Sequence, residues 1–317
     1  MLSVSGRLKK ILRAHRGRIA HRVALPGVAV FVLAATHVCA AELEPRAYAN
    51  TPVGLNFLIA GYGYSEGGLS TDASSPIKDA QLRIHTEVLA YARTLDVWGK
   101  SGKFDVIVPY SQLSGTALVA GQPRERQVSG LNDPRFRFSV NFFGAPALSM
   151  QEFANYRQDL IIGASVQVSA PVGQYDSSKL VNLGTNRWFI KPDIGISKTL
   201  GPFTLELSAG VTFYTKNDDY FGGQTLEQDP VYSTQAHVIY HFSRGVWGAL
   251  DGTYYYGGRT TVNGVRGNDE LGNSRVGATL ALPVNRNNSI KLYTSNGATI
   301  RAGSDYYLGG IAWQYRW

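Results

Sequence analysis

In the segment Asp133–Ala145, DPRFRFSVNFFGA, polar and apolar residues alternate strictly: Arg135, Arg137, Ser139 and Asn141 against Phe136, Phe138, Val140 and Phe142. Successive side chains of a β-strand point to opposite sides, so the pattern predicts a strand with one oily, aromatic face and one charged face. The alternation recurs. Leu160, Ile162, Ala164, Val166 and Val168 oppose Asp159, Gly163, Ser165, Gln167 and Ser169, and Phe203, Leu205, Leu207, Ala209, Val211 and Phe213 oppose Thr204, Glu206, Ser208, Gly210, Thr212 and Tyr214. Twelve such segments are expected, near residues 54–64, 81–94, 103–114, 134–145, 157–170, 186–199, 203–216, 231–243, 246–257, 272–282, 288–296 and 304–317. Most are about twice the usual strand length of roughly 5–6 residues, long enough for a tilted strand to cross a bilayer. A one-residue slip would turn Arg135 and Arg137 toward lipid, at roughly 2–4 kcal/mol each near the midplane.

The connections alternate as well. SEGGLSTDASSPIKDA, GTALVAGQPRERQVSG, NDDYFGGQTLEQDP and GGRTTVNGVRGNDE are long, whereas LDVWGKSG, LGP and SRG are short, the habit of outer-membrane barrels with short turns on the periplasmic side. ALSMQEFANYR departs from it; Ser149 and Glu152 have capping-box spacing and predict a short helix. Pro109 and Pro192 fall inside expected strands, where each removes a ladder donor, so an early strand end or a bulge is expected at both. Trp98, Trp247, Trp313 and Trp317 are candidate membrane-interface aromatics, with Trp98, Trp247 and Trp317 expected at the periplasmic rim and a second set of tyrosines near the opposite rim. The last strand, YYLGGIAWQYRW, ends on an aromatic residue and resembles the terminal signature that directs outer-membrane proteins to the barrel-assembly machinery.

Composition changes the picture mainly at the N-terminus. Residues 1–22 carry seven basic residues and no acidic one, and an apolar run, Val23–Val38, follows, leading into VCAAELEP with small residues at signal-peptidase spacing. This predicts a cleavable signal peptide, residues 1–40, before a barrel domain spanning 41–317. The whole chain has 31 Lys and Arg against 23 Asp and Glu; without the seven leader residues, 31 − 7 = 24 against 23 gives no basic surface that would imply nucleic acid. The one cysteine, Cys39, lies in the leader, and no later apolar run is long enough for a transmembrane helix.

Candidate chemistry is sparse. His237 and His241 share a strand face, but four strand residues span roughly 13 Å, too far for one metal ion. No nucleophile, base and orienting group stand at recognisable spacing, so neither catalytic, cofactor nor metal residues are expected and the chain is read as a non-enzyme. The acidic loop residues Asp218, Asp219, Glu227, Asp229, Asp269 and Glu270 are read as solvated. The informative set is inward and charged: Arg83, His85, Glu87, Arg135, Arg137, Asp159, Arg187, Lys191, Asp193, Glu206, His237, His241 and Arg275 are candidate lumen-lining residues. A twelve-stranded lumen lies between a packed eight-stranded interior and an open sixteen-stranded channel, so this set lines a pore or forms a salt-bridged plug.

The stretches GLNDPRFRFSVNFFGAPAL, APVGQYD, NLGTNRWFIKPDIGISKTLG, DGTYYYGGRTTVNG and NSRVGATLALPVNRNNSIKLY resemble the outer-membrane, transporter-like family described as components of the phenol meta-cleavage degradation pathway. The resemblance runs from ELEPRAYANTPVG to Trp317 and implies association with uptake of small, often aromatic, compounds; it carries no defined site residues. The expectation is thus an all-β chain, a transmembrane antiparallel up-and-down β-barrel of about 12 strands in the outer membrane of a Gram-negative bacterium. Its expected function is a channel for passive uptake of small hydrophobic or aromatic solutes, with a plugged barrel acting through its extracellular loops as the alternative and a lipid-modifying enzyme third. Expected partners are outer-membrane lipid and lipopolysaccharide, the assembly machinery and small solutes.

Overall fold

The computed structural model describes residues 44–70, 77–119 and 121–317, so the expected signal peptide lies outside the described residues. Twelve strands make the wall: β1 (Asn56–Ser70), β2 (Ile77–Val97), β3 (Lys100–Val119), β4 (Arg135–Phe143), β5 (Leu160–Ser169), β6 (Phe189–Leu200), β7 (Phe203–Tyr214), β8 (Val231–His241), β9 (Trp247–Gly257), β10 (Leu271–Pro283), β11 (Asn288–Thr299) and β12 (Gly303–Arg316). Each pairs antiparallel with its neighbour in sequence, and β12 closes the ring on β1 through a register running from Phe57 opposite Arg316 to Ser70 opposite Gly303. Closure leaves the ring no free edge, so every wall strand is paired on both sides.

The outward face is apolar. Phe136, Phe138 and Phe142 on β4, Leu205 and Leu207 on β7, Leu250 on β9 and Ile311 on β12 are all exposed, while their alternates Ser139, Asn141, Glu206, Asp251 and Arg135 are buried. A soluble fold buries its large apolar side chains; exposed ones on every side of a closed ring match a wall that faces lipid. The phenylalanines of DPRFRFSVNFF therefore face outward and its arginines inward. No helix among the described residues is long and apolar enough to cross a membrane, and crossing is the work of the strands.

The ends differ. At one, hairpins are tight: Trp98 and Gly99 both take positive φ (52° and 77°) between β2 and β3, the geometry of a two-residue hairpin turn, and Asp96 Oδ1 accepts the Gly99 amide at 2.7 Å. The expected helix is present as α1 (Met150–Phe153), with Ser149 and Glu152 forming the capping box. At the other end the connections are more ordered than loops. β2 and β3 run 21 and 20 residues, and a further strand, Gln122–Leu131, pairs with the upper half of β3. Two hairpins, Asn217–Tyr220 with Gln224–Gln228 and Thr260–Val262 with Val265–Arg266, join in a separate four-stranded sheet.

Both prolines are accommodated inside strands. Below Pro109, β3 pairs with β4; from Tyr110 upward it pairs with Gln122–Leu131, so the missing donor falls where β3 changes partner. Pro192 keeps its register opposite Val166 on β5, while the ladder toward β7 skips Lys191 and Pro192.

Candidate functional site

The residues just before β1 enter the barrel. Glu44 to Leu55, here the strap, lies with its first half against inward faces of β4–β9 and with its second half tied to Pro146, Leu148 and Thr94 of β2 at the short-turn end. Arg137 Nη1 lies 2.5 Å from Glu44 Oε2, and Arg137 Nε lies 3.0 Å from Asp105 Oδ2, so one guanidinium joins strap and wall. The Arg46 amide donates to Glu206 Oε2 at 2.7 Å, and Ser197 Oγ donates to the other carboxylate oxygen at 2.9 Å. The Arg46 guanidinium sits over the Trp247 ring, 5.4 Å from its centroid. The Tyr48 hydroxyl donates to Asp193, and Asn141 Nδ2 donates to the Tyr48 carbonyl at 3.1 Å.

The seat for Tyr48 is written as a pair of glycines. Gly163 on β5 and Gly195 on β6 face each other in register, and a Cβ at Gly195 would come within 2.0 Å of the Tyr48 ring. Tyr48 also packs with Ala145 and Ile161. Electrostatics fix the strap's charge state. Burial opposes ionisation of Glu44, but Arg137, Lys103 and Lys291 outweigh it and hold the carboxyl well below the usual carboxylate range. Burial, together with the Asp193 carboxylate, pushes the Tyr48 phenol up, so it stays a donor.

Sequence reasoning passed over Glu44, Arg46 and Tyr48, and also Asp105 and Asp251. The available signal was the lone glycine in each of IIGAS and DIGIS, at neighbouring inward positions where the other residues have side chains.

Of the expected lumen-lining residues, Arg135, Arg137, Lys191, Asp193, Glu206, His237, His241 and Arg275 lie on inward strand faces, and Arg187 lies just ahead of β6, buried under the long-loop end. His237 Nδ1 is 2.6 Å from Asp251 Oδ1, whose other oxygen accepts from Thr279 at 3.0 Å; His241 Nε2 is 2.9 Å from Thr204 Oγ1. The two histidines thus have separate partners, and no group of three potential metal-binding side chains converges among the described residues. The Ser233 hydroxyl is engaged with the Gly210 carbonyl at 3.4 Å.

Four expected lumen residues lie elsewhere. Arg83, His85 and Glu87 are exposed and share the outward face of β2 with Leu89. Arg83 pairs with Glu66 at 2.7 Å, and His85 Nδ1 with the Tyr62 hydroxyl at 2.6 Å, all on the outside of the wall. The cause is strand length: β2 is about twice as long as a crossing requires, and beyond Tyr110 the outward face of β3 also becomes polar, with Gln112, Ser114 and Thr116, so alternation there no longer separates lipid from lumen. Asp159 precedes β5 at the short-turn rim, exposed and paired with Lys198 at 2.5 Å. Among the expected interface aromatics, Trp98 is fully exposed in its turn and Trp313 and Trp317 lie outward, but Trp247 points inward as the partner of Arg46. It shares its register row with inward-facing His241 and Ala281, which a reading by position near a turn could not reveal. The acidic loop residues are largely engaged within the loops: Asp229 with Arg266, Glu227 with Lys216, and Glu270 with Arg259 and Arg301.

The opposite inside wall is chemically different. On β1, β2, β3 and β12 the inward positions hold Phe57, Ile59, Ile84, Val88, Ile107, Leu113 and Leu308, interspersed with Gly61, Gly63, Ala90, Ala92, Gly310 and Ala312. The interior is therefore two-sided, with a polar wall that carries the strap and a largely apolar wall whose charged inward positions, Lys103 and Asp105 on β3 and Arg316 on β12, lie at the short-turn end.

Comparison with known proteins agrees with this architecture. A crystal structure of an outer membrane channel from Pseudomonas putida F1 superposes with a TM-score of 0.75 at 19% identity, covering 87% of this chain and 100% of that one. The β-domain of the Bordetella autotransporter BrkA superposes with a TM-score of 0.50 at 10% identity, covering 83% and 99%. These likenesses show the fold, that of a twelve-stranded outer-membrane β-barrel. No curated protein sequence matches the chain. The sequence profile of one family matches residues 63–316, which spans the wall from the middle of β1 to the end of β12. The chain belongs to the family described as "Putative MetA-pathway of phenol degradation".

Proposed function

We propose that this protein is an outer-membrane channel that lets small aromatic solutes diffuse into the periplasm. The observation that carries the reading is the two-sided interior: an apolar wall gives a planar ring somewhere to lie, and the facing polar wall solvates a hydroxyl or other polar substituent. The family description supports the solute class, and the Pseudomonas putida neighbour is itself named an outer membrane channel. Selectivity comes from Lys191, Asp193, His237 and the strap residues that narrow the polar side. Cleavage after Ala40 would leave the strap at the mature N-terminus. The exposed apolar belt contacts outer-membrane lipid, with lipopolysaccharide in the outer leaflet, and the terminal strand with Trp313 and Trp317 is the element the assembly machinery engages.

The strap itself favours a second reading, a plugged barrel acting through its ordered outer hairpins. Proteoliposomes separate the two. Benzyl alcohol entering faster with folded protein than without it supports the channel, and no difference supports the plug. Catalysis has weaker support, since both histidines face inward, away from lipid, and each is committed to a partner.

A further inference from the structure

At the long-loop end of the polar wall, four inward or buried side chains form a row in which two cations flank a pair of rings. The Arg135 guanidinium lies 5.9 Å from the Phe189 centroid; Phe189 meets Tyr214 edge-on at 6.1 Å; and the Arg187 guanidinium lies 4.3 Å from the Tyr214 centroid. Register explains the array: Arg135, Ser169, Phe189 and Tyr214 stand opposite one another on β4 to β7, and the small Ser169 lets Arg135 reach across one strand to Phe189.

Both arginines are more than nine-tenths buried, with 5% and 4% of their surface exposed, and neither forms an ion pair among the described residues. Arg135 Nε and Arg187 Nε and Nη1 are buried without a hydrogen-bond partner; Arg187 Nη2 reaches Gln228 at 2.5 Å. The Asp133 carboxylate, two residues before Arg135, is committed elsewhere: it accepts the Gly173 and Thr185 amides at 2.9 and 2.7 Å and the Thr185 hydroxyl at 2.7 Å. Burying a guanidinium without an anion is costly, and stacking on rings offsets only part of that cost.

We propose that Arg135, Arg187, Phe189 and Tyr214 form an entry subsite for aromatic carboxylates, whose carboxylate takes the unpaired N–H groups while its ring packs on the ring pair. A guanidinium matches a carboxylate in shape and charge, and an aromatic anion satisfies cation and ring surfaces together, which neither a neutral phenol nor an aliphatic acid does. This inference rests on the channel reading and narrows its solute class to anionic aromatics.

The test uses the full mature chain, folded in detergent for binding and in liposomes for flux, with benzoate, benzyl alcohol and acetate as probes. Benzoate should bind more tightly than either of the other two. Arg187→Gln and Arg135→Gln should each lower the benzoate-to-benzyl-alcohol affinity ratio by roughly ten- to a hundredfold, the range expected for one charge-assisted hydrogen bond. Arg266→Gln, on the outer hairpin sheet, should leave the ratio unchanged. Equal binding of benzoate and benzyl alcohol by the unsubstituted chain, or of benzoate and acetate, overturns the subsite even if an arginine variant fails to fold. If benzyl alcohol crosses the membrane and benzoate shows no preference, the subsite fails and the channel stands. If benzoate binds as described and nothing crosses, the channel fails while the site remains.

Discussion

Arg135 and Arg137 stand two residues apart on one face of one strand, yet meet opposite surroundings. Arg137 lies between Glu44 of the strap and Asp105 of β3, its charge offset twice over; Arg135 has an aromatic ring and no carboxylate. The lower interior is a closed electrostatic network that holds a piece of the chain in place. The upper interior keeps cations uncompensated, as expected where charge is provided for a visitor. The same residue type on the same strand is structural in one place and recognitive in the other, and the neighbouring strands decide which.

Arg137→Met should have the largest effect. It leaves the buried Asp105 and the half-buried Glu44 without their shared cation, at a cost of about 3 kcal/mol, read as a lower urea midpoint for unfolding of the barrel in detergent. Arg135→Met, by contrast, removes a cation that has no partner and should leave that midpoint unchanged or raise it; a loss as large as that of Arg137→Met would erase the distinction drawn here.

Next comes the lipid face of the same strand. Phe138→Arg should cost roughly 2–4 kcal/mol if that position is near the midplane, seen as loss of the compact form on unheated gels. Normal folding of this variant would mean that the outward row does not meet lipid.

Glu44→Gln is a smaller change, roughly 1–2 kcal/mol, because Arg137 keeps Asp105. Its signature is in pH. The carboxyl is depressed in the folded state, so its stabilisation is present above the ordinary carboxylate range and is lost as pH falls through the lower folded value. Solute flux should stay flat from neutral pH to about pH 4 and rise only below it, and Glu44→Gln should remove that acid step. Smallest of all, Arg83→Gln should leave flux and folding unchanged, since Arg83 and Glu66 form an exposed pair outside the wall.

What could be read in advance follows from the same physics. Lipid on one side and water on the other force strict alternation, so twelve strands, their faces and the closed antiparallel ring were legible from residues such as Phe136, Phe138, Leu205 and Leu207. Alternation stops carrying that information once a strand leaves the bilayer, and Arg83, His85 and Glu87 were misplaced for that reason. The strap was illegible for a different one. It forms no strand, and its ties to Asn141, Asp193 and Glu206 span 93, 145 and 160 residues, distances over which local pattern says nothing. Only the glycines that seat Tyr48 left a trace.

The central claim is that solutes pass along the apolar wall beside a strap that narrows the polar one. Benzyl alcohol flux into proteoliposomes, compared between the mature chain and one lacking residues 44–50, tests it most directly. Measurable flux through the mature chain and several-fold faster flux without the strap are expected, with both barrels folded. Two folded barrels that admit no solute at all would contradict it.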